Sequence, residues 1–133
     1  MFDPVINQLP AFAAFFSTDV ALLGGFLALY VLVTPYNELA LIREGNAAAA
    51  LSLGGALVGF ALPIAVSVAV SHNLYAMIGW GLVACVVQLL TFTAARLALP
   101  TINHNIPQGN LASGIFLASL SIGVGILNAG CIA

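Results

Sequence analysis

Four long apolar stretches, separated by shorter segments that contain most of the polar residues, dominate the pattern of hydrophobic and polar positions along this chain. They cover residues 19–36, 47–70, 74–95 and 111–132. A membrane hydrocarbon core about 30 Å thick is crossed by roughly 20 apolar residues in an α-helix, and irregular backbone cannot face lipid. The pattern therefore predicts an all-α integral membrane protein with four transmembrane helices.

The residues before the first span form a different kind of segment. Phenylalanines occur here among small and polar residues, and the apolar runs are too short and interrupted to cross a membrane alone. Because aromatic rings favour the headgroup boundary, we expect residues 1–18 to form an interfacial N-terminal segment. Ser17, Thr18 and Asp19 then suit a helix start, since their side-chain oxygens can accept hydrogen bonds from free backbone amides.

Two similar turns precede the second and fourth spans. Gly45-Asn46 opens the second span, and Gly109-Asn110 opens the fourth span 64 residues later. Glycine suits a left-handed helix stop and asparagine suits a helix start, so each pair predicts a tight reversal of the chain.

This correspondence predicts a duplicated unit. Each copy contains two spans, so both copies enter the membrane in the same direction and form tandem, parallel hairpin repeats rather than inverted ones. The predicted organisation is a single membrane domain, 1–133, with the first hairpin repeat at 19–70 and the second at 74–133.

Composition supports the membrane interpretation and limits the partners. Of the 133 residues, 62% are hydrophobic and 5% are charged, and the net charge is −2, whereas about a quarter of residues in soluble domains are charged. The lack of a basic patch argues against nucleic acid as a partner and leaves the lipid bilayer. The two cations, Arg43 and Arg96, lie on the side of the Gly-Asn turns. The positive-inside rule then predicts these turns in the cytoplasm and both termini outside, with dual or inverted insertion as the alternative because only two arginines carry the signal.

One further segment is distinctive. It reads NELALIREGNAAAA from Asn37 to Ala50 and continues with Gly54, Gly55 and Gly59, and a weaker copy begins at Gln108. These residues resemble the YjfL-type bacterial inner-membrane proteins, classified as domain of unknown function 350. The resemblance covers nearly the whole chain. It implies paired transmembrane helices and a location in the bacterial inner membrane, and it implies no activity.

Small residues repeat at helical spacing in the second and fourth spans. One face carries Ala48, Ser52, Gly55 and Gly59, and another carries Gly114, Ala118, Ser121 and Gly125. In lipid, such faces let helix backbones approach closely, within a chain or between subunits. A pore-lining face is the alternative. The predicted helix-packing positions are Gly55, Gly59, Ser119 and Gly123.

Five polar residues are the candidate functional positions: Glu38, Asn46, Gln88, Asn110 and Asn128. An amide in hydrocarbon needs a partner, so Gln88 and Asn128 are predicted to join helices, with a solute or ion path as the alternative. Glu38, at the inner end of the first hairpin, is either an interfacial helix end solvated by water or a cation or partner site.

The sequence contains no recognisable catalytic motif. It has no glycine loop followed by Lys and Ser or Thr, no paired carboxylates inside a span and no metal-ligand spacing. We therefore predict no enzyme and no catalytic, cofactor-binding or metal-binding residue. Two functions remain, a component of an oligomeric small-solute or ion channel or transporter, and a non-catalytic structural or accessory subunit of a membrane complex. Four spans are too slight to enclose a pathway alone, so both predict a homo-oligomer or a larger membrane complex.

Overall fold

The computed structural model of the chain describes residues 3–133, which form six α-helices and no β-strand. In chain order these are α1 (Asp3–Val33), α2 (Glu38–Arg43), α3 (Ala47–Ser71), α4 (Leu74–Ala98), α5 (Ile102–Asn105) and α6 (Leu111–Ile132). Helices α1, α3, α4 and α6 are long and apolar enough to cross a membrane. The chain is therefore an all-α integral membrane protein with four membrane-spanning helices, as the sequence predicts.

Helix α1 is longer than the sequence predicts. It continues through Pro10 and through the predicted boundary at Asp19, for 31 residues in all. A helix of that length measures about 46 Å, well beyond the roughly 30 Å hydrocarbon core. Residues 3–18 of the expected interfacial segment therefore continue into the first span as one helix without a break, and residues 1 and 2 lie outside the described part of the chain.

A short break turns the chain back after α1. Residues 34–37 are not helical, consistent with Pro35, which has no amide to donate. Asn37 then starts α2, because its side-chain oxygen accepts a hydrogen bond from the Ala40 amide at 3.2 Å. The result is a six-residue helix held between two changes of chain direction, the break before it and the turn at Gly45 after it.

Both Gly-Asn turns have the predicted backbone geometry. The φ angles of Gly45 and Gly109 are 86° and 79°, in the left-handed region that glycine tolerates. The following asparagines cap the next helices. Asn46 accepts a hydrogen bond from the Ala49 amide at 3.0 Å, and Asn110 accepts one from the Ser113 amide at 3.2 Å.

Helices α3 and α6 pack side by side through small residues, and this contact is termed the α3–α6 seam. A side-chain carbon added at Gly55 would collide with Ala118, one at Gly59 with the Ser121 carbonyl, and one at Gly125 with the Gly59 backbone. The contacts advance in the same direction along both helices, so α3 and α6 run parallel. Both Gly-Asn turns therefore lie at one end of the bundle, termed the turn end.

The four predicted packing residues fall into two groups. Gly55 and Gly59 are buried in the seam, whereas Ser119 and Gly123 are exposed, and nothing lies within 4 Å of a carbon added at Gly123. The reason is rotation of α6, which turns Gly125 rather than Gly123 toward Gly59. Within the chain, α6 therefore packs through Ala118, Ser121 and Gly125 rather than through the predicted Ser119 and Gly123.

Helix α1 contacts the rest of the bundle mainly through aromatic side chains near its second half. Phe26 stacks on Phe60 of α3 with the ring centroids 4.4 Å apart. Toward the opposite end, α1 and α4 leave an apolar groove of about 460 Å³ that Thr18, Leu22 and Gly81 help to line. Helix α1 is therefore held tightly at the turn end and more loosely away from it.

Candidate functional site

The candidate site lies at the turn end of the bundle, where Glu38 begins α2. Its side chain has 0% exposure, and it is the one charged side chain that is buried within residues 3–133. The cap by Asn37 fixes the start of α2, and the break before it directs the first helical residue toward the bundle. The structure therefore excludes the interpretation of Glu38 as a helix end solvated by water.

Two tyrosine hydroxyls share the surroundings of this carboxyl group. Tyr30 of α1 is 1% exposed, and Tyr36, in the connection before α2, is partly buried. Both hydroxyls lie within electrostatic reach of the Glu38 carboxylate. None of these four oxygens makes a hydrogen bond of good geometry within residues 3–133, although the Tyr36 hydroxyl lies close to the Glu38 carboxyl group and to Ser52. These three residues are termed the Glu38 cluster.

The surroundings change the acidity of the cluster. Burial raises the pKa of Glu38 from an ordinary 4.5 to about 8, because a medium of low polarity disfavours the charged carboxylate, and the nearby Tyr36 hydroxyl acts in the opposite direction. The pKa of Tyr36 is also raised, first by burial and second by the negative charge on Glu38. Burial therefore favours the protonated, neutral form of Glu38.

Aromatic rings close the cluster on the side of the bundle core. Tyr30 meets the Phe92 ring of α4 edge to face, with the centroids 5.6 Å apart, and it lies 5.7 Å from the Phe26 ring. Beyond this layer, the Arg96 guanidinium lies 5.8 Å from the centre of Phe92. A cation is thus present at this end of the bundle, but it rests on an aromatic face rather than against the carboxyl group.

Asn46 joins the two halves of the chain. Besides capping α3, its side-chain amide donates hydrogen bonds to the carbonyls of Ile106 and Pro107, at 2.9 and 3.1 Å. Asn110 caps α6 but makes no corresponding bond to the first turn within the described residues. The two asparagines therefore have the same local role and different tertiary roles.

Gln88 joins α4 to the α3–α6 seam. Its side chain is 1% exposed, and its Nε2 donates to the Ser121 carbonyl at 3.1 Å. A carbon added at Gly59 would lie 2.6 Å from this nitrogen, so the glycine leaves the space that the amide occupies. Asn128 lies about two turns farther along α6, is partly buried, and its Nδ2 has no partner within the described residues. The predicted polar residues thus occupy separate places rather than one polar path.

The sequence analysis did not find Tyr30 and Tyr36 as neighbours of Glu38. Their proximity depends on the angle between α1 and α2, which the break at residues 34–37 sets. The spacing of residues along the sequence does not encode that angle. One signal was available. The position 64 residues after Glu38 is Ile102, which likewise begins a short helix and is 1% exposed. A carboxyl group at a position suited to an apolar side chain marks Glu38 as unusual.

The fold and the site together define a multi-pass helical membrane protein with a buried carboxyl group at one end. The chain belongs to the family described as Domain of Unknown Function (DUF350), which matches residues 4–132.

Two relatives cover most of its length. It is 35% identical over 127 residues to "UPF0719 inner membrane protein YjfL" of Escherichia coli (strain K12), spanning 96% of each chain. It is 32% identical over 120 residues to "UPF0719 transmembrane protein YshE" of Bacillus subtilis (strain 168), spanning 89% of this chain and 90% of that protein. No solved structure matches the chain.

Proposed function

We propose that this chain is a non-catalytic subunit of an assembly in the bacterial inner membrane, formed by copies of itself or together with other membrane proteins. The name of the Escherichia coli relative, an inner membrane protein, supports the location, as do the four apolar helices. The proposed orientation places both termini outside and the turn end in the cytoplasm, because Arg43 and Arg96 both lie toward that end.

The outward face of α6 is the observation that carries the assembly proposal. Ser119 and Gly123 are four residues apart on one face of the helix, and both are exposed. The small residues of the seam are already in contact with each other, whereas a carbon added at Gly123 meets nothing within 4 Å. Small residues at this spacing are typical of helix–helix contacts in membranes, so this face is available to a helix of another subunit.

The architecture of the chain supports two tandem hairpin repeats as the basis of this subunit. Helices α2 and α5 begin 64 residues apart, the same interval that separates Gly45 from Gly109. The first residue of each short helix is buried, and each of these helices leads into a left-handed glycine. We infer that the repeats share a backbone plan and have diverged in their side chains.

A channel or transporter component for small solutes or ions is the second candidate, and the buried Glu38 favours it. An ionisable residue buried in a membrane protein commonly marks an ion or proton pathway. The seam is filled by direct backbone contact, and Gln88 is engaged with Ser121, so a pathway along α3 and α6 inside one subunit has no room. In a channel or transporter built from this chain, the path of the solute or ion would therefore run between subunits.

The assembly proposal is tested at Gly123. We expect Gly123→Leu to convert an oligomer of the full chain in lipid nanodiscs into smaller species, because the leucine side chain would hold the two helices apart. Mass measurement by native mass spectrometry gives the stoichiometry. Gly79→Leu is the matched control, since Gly79 is an exposed glycine on α4 with open space around it. A monomeric parent protein would exclude assembly from copies of this chain alone, and equal masses for both variants would show that the face with Gly123 is not the interface between copies.

A further inference from the structure

The Glu38 cluster concentrates unsatisfied polar atoms at one place. Four buried oxygens, two from Glu38 and one each from Tyr30 and Tyr36, make no hydrogen bond of good geometry within residues 3–133, and Tyr36 lies close enough to Glu38 to affect its acidity. In folded proteins nearly all buried polar groups are paired, so a group of orphaned oxygens calls for a ligand that satisfies them. That ligand must also neutralise a carboxylate that has no ion-pair partner.

The position in the second half that lies 64 residues after Glu38 carries an apolar side chain instead of a carboxyl group. Ile102 begins α5 as Glu38 begins α2, and both side chains are buried. An apolar side chain is sufficient to fill the corresponding position, and it avoids the cost of burying an unpaired charge. Burial at the start of such a short helix therefore does not by itself call for a carboxyl group.

We propose that the Glu38 cluster is a proton-binding site, which takes up one proton from the aqueous phase at the turn end and releases it there. On uptake, an O–H bond forms on a carboxylate oxygen of Glu38 while an O–H bond of the hydronium ion that supplies the proton breaks and leaves water. The carboxylic acid then has one O–H to donate to a neighbouring oxygen, and the tyrosine hydroxyls, which are donors in both states, can donate to the remaining carboxyl oxygen. One proton therefore removes the buried charge and adds one donor to the cluster.

The groups facing Glu38 make the proton a better ligand than a metal ion. Tyr30 approaches from α1 and Tyr36 from the connection, and Ser52 of α3 lies against Tyr36 while donating to the Ala49 carbonyl at 3.1 Å. Phe92 of α4 packs against Tyr30. One carboxylate and neutral hydroxyls are a poor set for divalent cations, which prefer several charged oxygens. The rise in the Glu38 pKa to about 8, caused by burial, agrees with a bound proton at neutral pH.

The position of α2 offers a route for exchange. This six-residue helix lies between the break at 34–37 and the left-handed turn at Gly45. Glu38 lies in the connection between two of the candidate membrane spans and has no exposed surface, so exchange of its proton with water requires a displacement of α2. Release of the proton therefore accompanies movement of α2, since a charged carboxylate is unfavourable in the buried position that Glu38 occupies in this structure.

Infrared spectroscopy of the full chain in lipid nanodiscs tests the site. We expect the carbonyl stretch of a protonated carboxylic acid to be present at pH 7 and to disappear as the pH rises through about 8. Glu38→Gln should remove this band, and Glu44→Gln, which changes an exposed carboxyl group of the same turn, should leave it. Replacing sodium and potassium with a bulky organic cation should not shift the titration.

Two outcomes would overturn the proposal. If the band that Glu38→Gln removes is already lost by pH 6, the carboxyl group is ionised at neutral pH and binds no proton there. If sodium or potassium shifts the midpoint with concentration, the cluster binds a metal cation in competition with the proton. Glu38→Leu, which imitates the apolar residue of the second half, is the control for folding, and it should be recovered in nanodiscs in the same yield as the parent chain.

Thermal unfolding supplies a second measurement on the same samples. The pKa of Glu38 is higher in the folded chain than its ordinary value of 4.5, so the folded state holds more protons between pH 4.5 and about 8. Stability therefore falls as the pH rises through this interval and levels off above it. We expect Glu38→Gln to remove this component of the pH dependence, and an unchanged pH profile in that variant would contradict the site.

Discussion

At the residue scale, Asn46 and Asn110 show how one sequence motif can acquire two structural roles. Both follow a left-handed glycine, and both accept a hydrogen bond from the amide three residues later. Only Asn46 also uses its side-chain NH₂ group within the described residues, to hold the carbonyls of Ile106 and Pro107. The local role follows from the motif, and the second role follows from the position of the other turn.

Replacing each asparagine with aspartate separates the two roles. Aspartate caps helices about as well as asparagine, so Asn110→Asp should have little effect. Asn46→Asp keeps the cap, loses two donated hydrogen bonds and places a carboxylate beside two carbonyl oxygens. We expect it to lower the free energy of unfolding by about 2 kcal/mol. Denaturant unfolding in mild detergent measures both variants, and equal losses would show that the link between the turns contributes nothing to stability.

At the scale of the helix, the rotation of α6 decides which small residues are structural. Gly59 and Gly123 are 64 residues apart and correspond in the aligned halves of the sequence. In the structure, Gly59 touches Ser121, Gly125 and Gln88, whereas Gly123 faces outward. The two halves therefore use different faces in the seam, because α6 is rotated about its axis relative to the orientation that would bring Gly123 to α3.

Substitution by alanine tests this difference with the smallest change available. The added methyl group at Gly59 would collide with the Ser121 carbonyl and crowd the Gln88 amide, both of which are fixed in the seam. Overpacking of this kind costs about 1–3 kcal/mol, so Gly59→Ala should unfold at a lower temperature than the parent. Gly123→Ala should unfold at the parent temperature. A parental midpoint for Gly59→Ala would mean that the seam is looser than described.

At the scale of the whole molecule, charge and polarity are distributed unevenly between the two ends. The turn end holds both arginines, the Glu38 cluster and both Gly-Asn turns, and the opposite end holds the short connection at His72 and Asn73. With four crossings, the described termini fall on the same side as this connection. The two arginines are the basis for our proposal that the turn end is cytoplasmic.

Cysteine labelling in intact cells tests the orientation. In a background with Cys85→Ala and Cys131→Ala, we expect Asn73→Cys to react with a membrane-impermeant thiol reagent. Gln108→Cys, at the exposed second turn, should react only after the cells are opened. The reverse pattern would place the turn end outside, and labelling of both positions in intact cells would indicate insertion in two orientations.

The sequence by itself determined the number of membrane-spanning helices and the conformation of the turns. Apolar length sets the spans because the bilayer requires internally hydrogen-bonded backbone, and the Gly-Asn turns are local structures formed by neighbouring residues. It did not determine where α1 begins. Polar residues suggest a helix start near Asp19, whereas α1 already includes the residues from Asp3 onward. Continuing the helix through Asp19 keeps the backbone N–H and C=O groups of this region hydrogen-bonded. The sequence signal for a helix start does not measure the stability that these bonds add.

Tertiary structure alone decided which side chains meet. The rotation of α6 placed Gly125 rather than Gly123 in the seam, and the direction of α2 brought Glu38 to Tyr30 and Tyr36. Both depend on angles between helices, which come from packing of the whole bundle. A polar residue in an apolar chain can be found by inspection of the sequence. Whether water reaches it depends on the surrounding helices, and for Glu38 they exclude it completely.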